Sequence, residues 1–347
     1  MSMTTTRLHI TRPDDWHLHV RDGAVLRAVL PDTARQFARA IIMPNLKPPV
    51  ATVDQALAYR ERILNALPAD SEFEPLMTLY LTEQTTPDEI RRAAACEHVH
   101  AVKYYPAGAT TNAASGVTDL GRVFPVLDEM QRQHLPLLMH GEVTDHDIDI
   151  FDREAVFIER ELTRLLDGFP ALPMVLEHIT TSRAAEFVAA GPDHLAATIT
   201  AHHLLLNRNA IFEGGLRPHH YCLPILKREQ NRQALVAAAT GGSGKFFLGT
   251  DSAPHPQGAK ESDCGCAGIY TARTALELYA EVFDRAGALE YFERFASHHG
   301  PDFYGLPRNP GRVTLERAQV EIPEQLDFGG EPGVPFRAGG QTNWRLL

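Results

Sequence analysis

The chain of 347 residues has few cysteines, no long apolar run and no basic segment. Its four cysteines, Cys96, Cys222, Cys264 and Cys266, are too few and too unevenly spaced for a disulfide framework, so we expect free thiols. No stretch approaches the roughly 18 consecutive apolar residues that span a bilayer, and the N-terminus has no secretory pattern. A net charge of −11 without a basic run argues against binding to nucleic acid. These absences predict a cytoplasmic enzyme and exclude the membrane and nucleic-acid-binding classes.

The chain is long enough to bury one large core, because hydrophobic residues make up 44% of it. Barrels of the α/β type commonly reach this length as a single unit. We therefore expect one domain over residues 1–347, with a barrel over about 7–299 and a C-terminal extension over 300–347.

Short apolar segments alternate with helix-patterned segments along most of the chain. The strand candidates lie around 8–10 and at 40–43, 76–80, 99–105, 135–140, 174–179, 195–201 and 245–249. Helical spacing covers 53–66, 88–95, 120–133, 152–166, 182–190 and 231–240, and again 270–286 and 288–296. Because no strand candidate shows a polar face, the pattern indicates a parallel sheet buried on both sides. A doubly wound sheet is the alternative, but eight repeats favour a closed (β/α)8 TIM barrel, followed by an irregular tail with short strands near 319–322.

In such a barrel the chemically active side chains lie at the C-terminal ends of the strands. Residue types that bind metals occur at this end of five predicted strands: His17 and His19 after the first, Lys103 in the fourth, His140 and His178 at the ends of the fifth and sixth, and Asp251 after the eighth. Histidines that serve only in the core or on the surface would have no reason to gather at one end of successive strands. The placement therefore predicts a metal site on the active face.

Four imidazoles and one carboxylate suit zinc, cobalt or manganese. Five ligands exceed one tetrahedral site, whereas two ions about 3.5–4 Å apart that share a bridging ligand can hold a hydroxide nucleophile between them. Lys103 lies in an apolar strand, where burial lowers the pKa of its amine, and a neutral amine can add CO2 to form a bridging carbamate. A snorkelling or salt-bridged lysine is the alternative.

Asp251 fits a second role, because a carboxylate beside an activated water can accept its proton and return it to a leaving nitrogen. The alternative is a helix N-cap, but His255, Pro256 and Gly258 soon after it favour a functional loop. Arg21 follows His19 by two residues, and its guanidinium suits a substrate carboxylate, although an exposed charge would look the same.

Further candidates lie in loops after the strands. Asn45 closes the second predicted strand and could share the carboxylate with Arg21. Thr110 and Thr111 lie in a small-residue loop, 107–116, whose composition suits either a mobile lid or a solvated turn. Two other motifs carry no site: the glycines at 241–244 lack the spacing of a phosphate loop, and the Cys-x-Cys at 264–266 has no second pair nearby.

Taken together, His17-x-His19, Lys103, His140, His178 and Asp251 resemble the ligand set of the amidohydrolase superfamily in order and placement. The chain also resembles the single-domain bacterial dihydroorotase family in the amino-acid sequence of seven segments: 12–19, 43–45, 140–144, 177–181, 217–224, 249–255 and 264–268. The similarity runs from about residue 12 to 305.

This resemblance implies a reversible, zinc-dependent cyclisation of N-carbamoyl-L-aspartate to L-dihydroorotate in a homodimer. It implies that His17 and His19 bind the more buried metal ion, that His140 and His178 bind the other, that carboxylated Lys103 bridges them, and that Asp251 ligates the buried ion and transfers protons. It further implies that the substrate carboxylate is held by Arg21, Asn45 and His255, that the ring meets backbone at Leu223 and Ala267, and that Thr110 and Thr111 close over it.

Three positions depart from the family pattern. Tyr104 stands where a leucine is expected, Gly108 stands where an asparagine is expected and could loosen the hinge of the lid, and His202 is an extra histidine that we expect to face solvent. The competing functions are another cyclic-amide hydrolase, such as a hydantoinase or dihydropyrimidinase, and a non-catalytic barrel scaffold. His17 lies too near the N-terminus for the β-rich stretch that precedes His-x-His in the hydantoinases, and a scaffold would have no need of the complete ligand set.

Overall fold

The computed structural model describes residues 6–347 and contains an eight-stranded parallel barrel. Its strands follow one another around the barrel in chain order, which is the simplest arrangement of a strand-helix repeat. They are β2 Asp15–Leu18, β3 Arg39–Ile42, β4 Glu74–Tyr80, β5 Val99–Tyr104, β6 Leu137–His140, β7 Met174–Glu177, β8 Leu195–Ile199 and β9 Phe246–Leu248. The seam between β9 and β2 is joined by a parallel bridge from Leu18 to Ser252. The predicted (β/α)8 architecture is confirmed.

Helices cover the outside of the barrel between the strands. The first of them, α1 Gly23–Ala34, was not predicted, whereas α2 Val53–Ala66 and α7 Ser182–Ala190 have the predicted bounds. Thr52 begins α2 through a capping box with Gln55. The remaining helices are α3 Pro87–Ala94, α4 Phe124–Gln133, α5 Arg153–Phe157, α6 Thr163–Gly168, α8 Ala201–Leu205, α9 Glu229–Thr240, α10 Gln257–Lys260, α11 Ala275–Arg285, α12 Leu289–Glu293 and α13 His299–Tyr304.

The alternation of side chains along each strand divides the apolar residues into two cores. Residues such as Ile42 and Val102 point outward and pack under the helices. The barrel interior is filled by Trp16, Ile41, Met43, Leu76, Ala101, Leu138, Val175, Ala196 and Phe247. Lys103, His140 and Glu177 lie two positions after the inward-facing Ala101, Leu138 and Val175, and they therefore point into the barrel near its C-terminal end.

Helix α13 packs against the inner core. The Trp16 ring stacks on Tyr304 with centroids 4.4 Å apart, and Phe303 contacts Phe247. Gly300 permits this approach, because a Cβ at that position would lie 1.9 Å from Trp16 Nε1. Tail residues thus complete the core of the barrel.

The expectation that the segment around 8–10 is the first barrel strand is wrong. Strand β1 Arg7–Thr11 instead pairs antiparallel with β10 Arg312–Glu321, and β10 pairs with β13 Gln341–Leu346. The first barrel strand is β2, so the barrel begins at about residue 15 and His17 lies within its first strand. The tail is also more regular than expected, because its partner strand comes from the distant N-terminus, which local patterning cannot reveal. A short hairpin joins β11 Leu326–Asp327 to β12 Pro332–Gly333.

No helix within residues 6–347 is long and apolar enough to cross a bilayer. All four cysteines are free thiols, as expected from their number and spacing.

Candidate active site

The predicted metal ligands meet at the C-terminal end of the barrel. His17 lies in β2, Lys103 near the end of β5 and His140 at the end of β6, while His178 and Asp251 follow β7 and β9. These five residues and His19, which follows β2, are all buried, with at most 8% of their surface exposed. The structure therefore brings the candidate ligands together at the end of the barrel where active sites lie in this fold.

His17, His19 and Asp251 form a compact triangle of donor atoms. Nε2 of His17 and Nε2 of His19 are 3.3 Å apart, and Asp251 Oδ1 lies 3.4 Å from the first and 3.2 Å from the second. The backbone fixes this arrangement, because Asp251 N donates to His17 O at 2.8 Å and His19 N donates to Ser252 O at 3.1 Å. The seam of the barrel thus positions three side chains that are far apart in sequence.

This triangle fits a divalent metal ion. Tetrahedral ligands bound at about 2.0–2.1 Å are separated by about 3.3 Å, which is the separation found here. Burial lowers the pKa of His17 and lowers that of His19 to about 3, so both rings are neutral and have lone pairs to offer. Imidazole and carboxylate donors suit zinc and related ions.

His140 and His178 provide a second pair of imidazoles beside the triangle. The His178 ring lies 4.9 Å from both the His17 ring and the His140 ring, measured between centroids. His140 Nε2 is 2.9 Å from Glu142 Oε2, which leaves Nδ1 of that ring as the nitrogen that can bind a metal ion. His178 Nδ1 is buried and has no hydrogen-bond partner among residues 6–347, as expected of an atom that awaits a ligand.

Lys103 is fully buried beneath these rings. Burial lowers the pKa of its amine well below the usual value. Its Nζ contacts Glu177 Oε2, and the other oxygen of Glu177 lies 2.9 Å from His17 Nδ1. Glu177 therefore links two candidate ligands. The His17 N–H is not aimed along the line to that oxygen, so the contact is short without being an aligned hydrogen bond.

Three of the candidate residues have left-handed backbone conformations. The φ angles are 59° at Arg21, 43° at His178 and 45° at Asp251. Such angles are unfavourable for side-chain-bearing residues and concentrate at functional sites. Asp251 begins no helix, since the next helix starts at Gln257, so the N-cap alternative does not apply. Burial by itself would raise the pKa of Asp251, but His17 and His19 hold it well below its usual value.

The predicted substrate-binding residues form a continuous chain of contacts that leads away from His19. Asn45 Oδ1 lies 2.8 Å from His19 Nδ1, and Asn45 Nδ2 donates to Thr111 O at 3.1 Å. Thr111 Oγ1 donates to Ala267 O at 3.3 Å, and His255 Nε2 is 3.0 Å from the same oxygen. Arg21 Nη2 lies 3.0 Å from His255 Nε2. Loops after β2, β3, β5 and β9 thus meet in one wall.

Leu223 joins this wall through its neighbours, because Gly268 N donates to Tyr221 O at 3.0 Å. Thr110 lies beside Thr111 in the loop 107–116, where its backbone oxygen accepts from Ala113 N at 3.1 Å.

The expectation that His202 faces solvent is wrong. His202 has 0% of its surface exposed, and neither ring nitrogen has a hydrogen-bond partner among residues 6–347. It is the second residue of the short helix α8, and burial lowers the pKa of its ring well below the usual value. The neighbouring His203 and Cys222 are buried with it and both contact Pro224 O.

Sequence reasoning missed several residues that support the site. Glu177 follows the inward-facing Val175 by two positions, so strand alternation could have revealed it. Asp15 accepts from Thr250 N at 2.8 Å and from Thr250 Oγ1 at 2.6 Å, a contact across 235 residues that no local signal announces. Thr198 Oγ1 accepts from His178 N at 2.8 Å.

Comparison with known proteins agrees with this geometry. The sequence profile of the amidohydrolase family matches residues 14–317. The chain is 64% identical over 342 residues to a dihydroorotase from Methylobacillus flagellatus, with 99% of both chains covered. It superposes on a dihydroorotase from Saccharomyces cerevisiae, solved with 5-fluoroorotic acid, with a TM-score of 0.91 and 33% identity over 99% of both chains.

A more distant likeness concerns the alternative function. An L-hydantoinase (dihydropyrimidinase) from Arthrobacter aurescens matches with a TM-score of 0.80 at 14% identity, over 97% of this chain and 82% of that one. At this identity the likeness shows a common fold alone, whereas the dihydroorotases share both fold and sequence over their full length. The chain therefore belongs to the amidohydrolase family and, within it, to the dihydroorotases.

Proposed function

We propose that the protein is a cyclic amide hydrolase that interconverts N-carbamoyl-L-aspartate and L-dihydroorotate, with water as the other product of cyclisation, in pyrimidine (UMP) biosynthesis. The observation that carries this proposal is the His17, His19 and Asp251 triangle, which is connected through Asn45 and Thr111 to a wall that includes Arg21 and His255. A hydrolytic centre thus lies beside groups that can recognise a carboxylate.

The proposed cofactors are two divalent metal ions, most simply zinc. His17, His19 and Asp251 would hold one ion, His140 and His178 the other, and Lys103, modified to N6-carboxylysine, would bridge them. When bound, such ions would polarise the amide carbonyl and make a water molecule acidic enough to lose its proton near neutral pH. Burial supports the modification of Lys103, because a neutral amine is the form that adds CO2.

Asp251 is proposed to move the proton. Its carboxylate would accept the proton of the attacking water and deliver it to the ring nitrogen as the amide C–N bond breaks. The oxygen of the water then becomes part of the new carboxylate, and the nitrogen leaves as part of the carbamoyl group. In the direction of cyclisation the same carboxylate would remove the proton from that nitrogen and return it to the departing water.

Arg21, Asn45 and His255 are proposed to hold the carboxylate that both substrates share. A guanidinium offers paired N–H donors in the geometry of a carboxylate. Backbone at Leu223 and Ala267 would contact the ring, and Thr110 and Thr111 would cover it. The contact between Thr111 Oγ1 and Ala267 O supports this role, since it joins the lid segment to the wall.

The remaining expectations stay proposals. Free thiols at all four cysteines support a cytoplasmic location. One hydrophobic cluster that includes both Ile10 and Trp344 supports a single domain over residues 1–347. Assembly into a homodimer is proposed from the family resemblance and is tested by sedimentation equilibrium.

A spectrophotometric assay of ring opening tests the proposed function directly. We expect the metal-loaded protein to hydrolyse L-dihydroorotate and to leave hydantoin and dihydrouracil, which lack the carboxylate, essentially untouched. Preferential turnover of the uncharged rings would contradict the proposal and favour the hydantoinase alternative.

The cofactor proposal has its own test. Elemental analysis should find two metal ions per chain, and growth or refolding with ¹³C-labelled bicarbonate should give one carbamate carbon signal that is absent from the Lys103→Arg variant. If two metal ions are found without that signal, the proposed carbamate bridge would be contradicted, whereas the proposal of two metal ions would stand.

A further inference from the structure

Lys260 is a buried ammonium group whose hydrogen-bond partners within residues 6–347 are all backbone oxygens. It ends the short helix α10 and has 3% of its surface exposed. Its Nζ donates to Tyr221 O at 2.8 Å, to Cys266 O at 2.8 Å and to Gly268 O at 2.7 Å. Because an ammonium has three N–H groups, these contacts use every donor it possesses.

Burial of the Lys260 ammonium group is energetically unfavourable unless its contacts compensate for the lost hydration. Transfer of a charged amine out of water is unfavourable, and burial lowers the pKa of Lys260 to about 8. Three carbonyl oxygens that converge on one point also repel one another without a donor between them. The lysine and the three oxygens therefore stabilise one another, and removal of the amine would leave the two backbone segments joined by fewer hydrogen bonds.

The two segments that Lys260 joins are the ones that form the wall of the site. Cys266 and Gly268 flank Ala267, so the backbone is held on both sides of that residue. Tyr221 precedes Leu223 by two positions, and its oxygen also accepts from Gly268 N at 3.0 Å. On the opposite side, Ala267 O meets Thr111 Oγ1 and His255 Nε2.

We propose that Lys260 is a positioning residue for substrate binding, which fixes the backbone at Leu223 and Ala267 in the geometry that contacts the ring. Its three hydrogen bonds go to backbone oxygens of the wall and none to a candidate metal ligand, so it would act through the wall alone. The role assigned to Lys260 rests on the proposed function, because the contact between that wall and the ring belongs to it.

The test compares Lys260→Met with Lys245→Met. Lys245 is a matched control, because its Nζ also donates to two backbone oxygens, those of Gly191 and Pro192, but it lies just before β9, at the other end of the barrel. Contacts to the ring are made in the ground state and the transition state alike, so their loss raises KM and leaves kcat nearly unchanged. We expect Lys260→Met to raise KM for L-dihydroorotate about tenfold, with kcat changed less than threefold, and Lys245→Met to alter neither.

Hydrogen–deuterium exchange of the substrate-free protein gives a second readout that does not depend on activity. Amide exchange in segments 220–224 and 264–270 should accelerate at least tenfold in Lys260→Met and stay unchanged in Lys245→Met. If Lys260→Met does not fold, Lys260→Gln, which keeps two N–H donors, should show the same changes to a smaller degree.

Unchanged KM and exchange in a folded Lys260 variant would overturn the positioning role, and so would equal effects of both lysine substitutions. Failure of the wild-type protein to hydrolyse L-dihydroorotate would instead overturn the proposed function, while the exchange measurement would still report on the wall.

Discussion

Asp15 and Thr250 are joined by two hydrogen bonds across the seam of the barrel. The carboxylate of Asp15 accepts from Thr250 N at 2.8 Å and from Thr250 Oγ1 at 2.6 Å, and both residues are fully buried. Each precedes a candidate metal ligand, since Asp15 lies two residues before His17 and Thr250 lies next to Asp251. The pair therefore connects the strand that carries one ligand to the turn that carries another.

A double-mutant cycle measures what this pair contributes. Hydrogen bonds to a buried carboxylate are worth about 1.5–3 kcal/mol, and partners in direct contact show non-additive effects. We expect Asp15→Ala and Thr250→Val each to lower the free energy of urea unfolding of the metal-free protein, with a coupling of about 1–2 kcal/mol. Simple additivity of the two substitutions would show that the pair is not an energetic unit.

Glu177 should govern how tightly the site holds its metal ions. Its Oε2 contacts Lys103 Nζ, and its Oε1 lies 2.9 Å from His17 Nδ1. Carboxylates that contact ligating histidines typically contribute 10–100-fold to metal affinity. We expect Glu177→Leu to weaken zinc binding by about that factor in a chelator competition titration. Glu154→Gln is the control, because Glu154 is an equally buried carboxylate that bonds to Thr180 rather than to a ligand. Equal zinc affinities in the two variants would contradict the role of Glu177.

The proposed role of Gly108 as the hinge of a lid can be tested by side-chain replacement. Gly108 has φ of +78°, and a Cβ there would meet no atom within 4 Å, so conformation rather than space limits the position. Asparagine tolerates the left-handed region, whereas β-branched residues do not. We expect Gly108→Asn to keep kcat within twofold and Gly108→Val to lower the melting temperature. A large loss of activity in Gly108→Asn would show that the lid needs the freedom of glycine.

Burial of His203 should make the stability of the protein depend on acidity. Burial lowers the pKa of His203 from 6.5 to about 4. Between these values the unfolded chain binds a proton that the folded chain does not, so the stability falls as the pH falls from 6.5 to 4. The loss from this one group between pH 7 and pH 5 is about 2 kcal/mol. Urea unfolding of the metal-free protein at both pH values should show that His203→Gln loses correspondingly less, and identical losses would contradict the assignment.

The sequence predicted most of the barrel because its signal is local. Buried strands such as 76–80, and helices with clear caps such as 53–66, can be recognised from the pattern of a few neighbouring residues. The strand β1 was assigned to the wrong sheet because its partner, β10, lies some 300 residues away and its own five residues carry no trace of that pairing. The burial of His202 is missed for a related reason, since it arises only in three dimensions and the neighbouring residues in the sequence do not indicate it.

The candidate site was predicted through the same rule that organises the barrel. Polar residues at the ends of parallel strands must meet, and His17, His140, His178 and Asp251 do so. Glu177 was missed because the strand was expected to continue to 179, whereas it ends at Glu177 and His178 turns into the left-handed region. That turn lets two consecutive residues both face the site, which strand alternation forbids.

In the proposed site, a hydrolytic metal centre is paired with an arginine that recognises a carboxylate. The most direct test of this pairing is the ratio of kcat/KM for L-dihydroorotate to that for dihydrouracil, measured for the wild-type protein and for Arg21→Met, whose metal content should be unchanged. We expect Arg21→Met to reduce kcat/KM for L-dihydroorotate at least 100-fold, about 3 kcal/mol of lost charge-assisted hydrogen bonding, and to leave dihydrouracil unaffected. An unchanged ratio would contradict the account, because the wall beside the metal site would then not recognise the carboxylate.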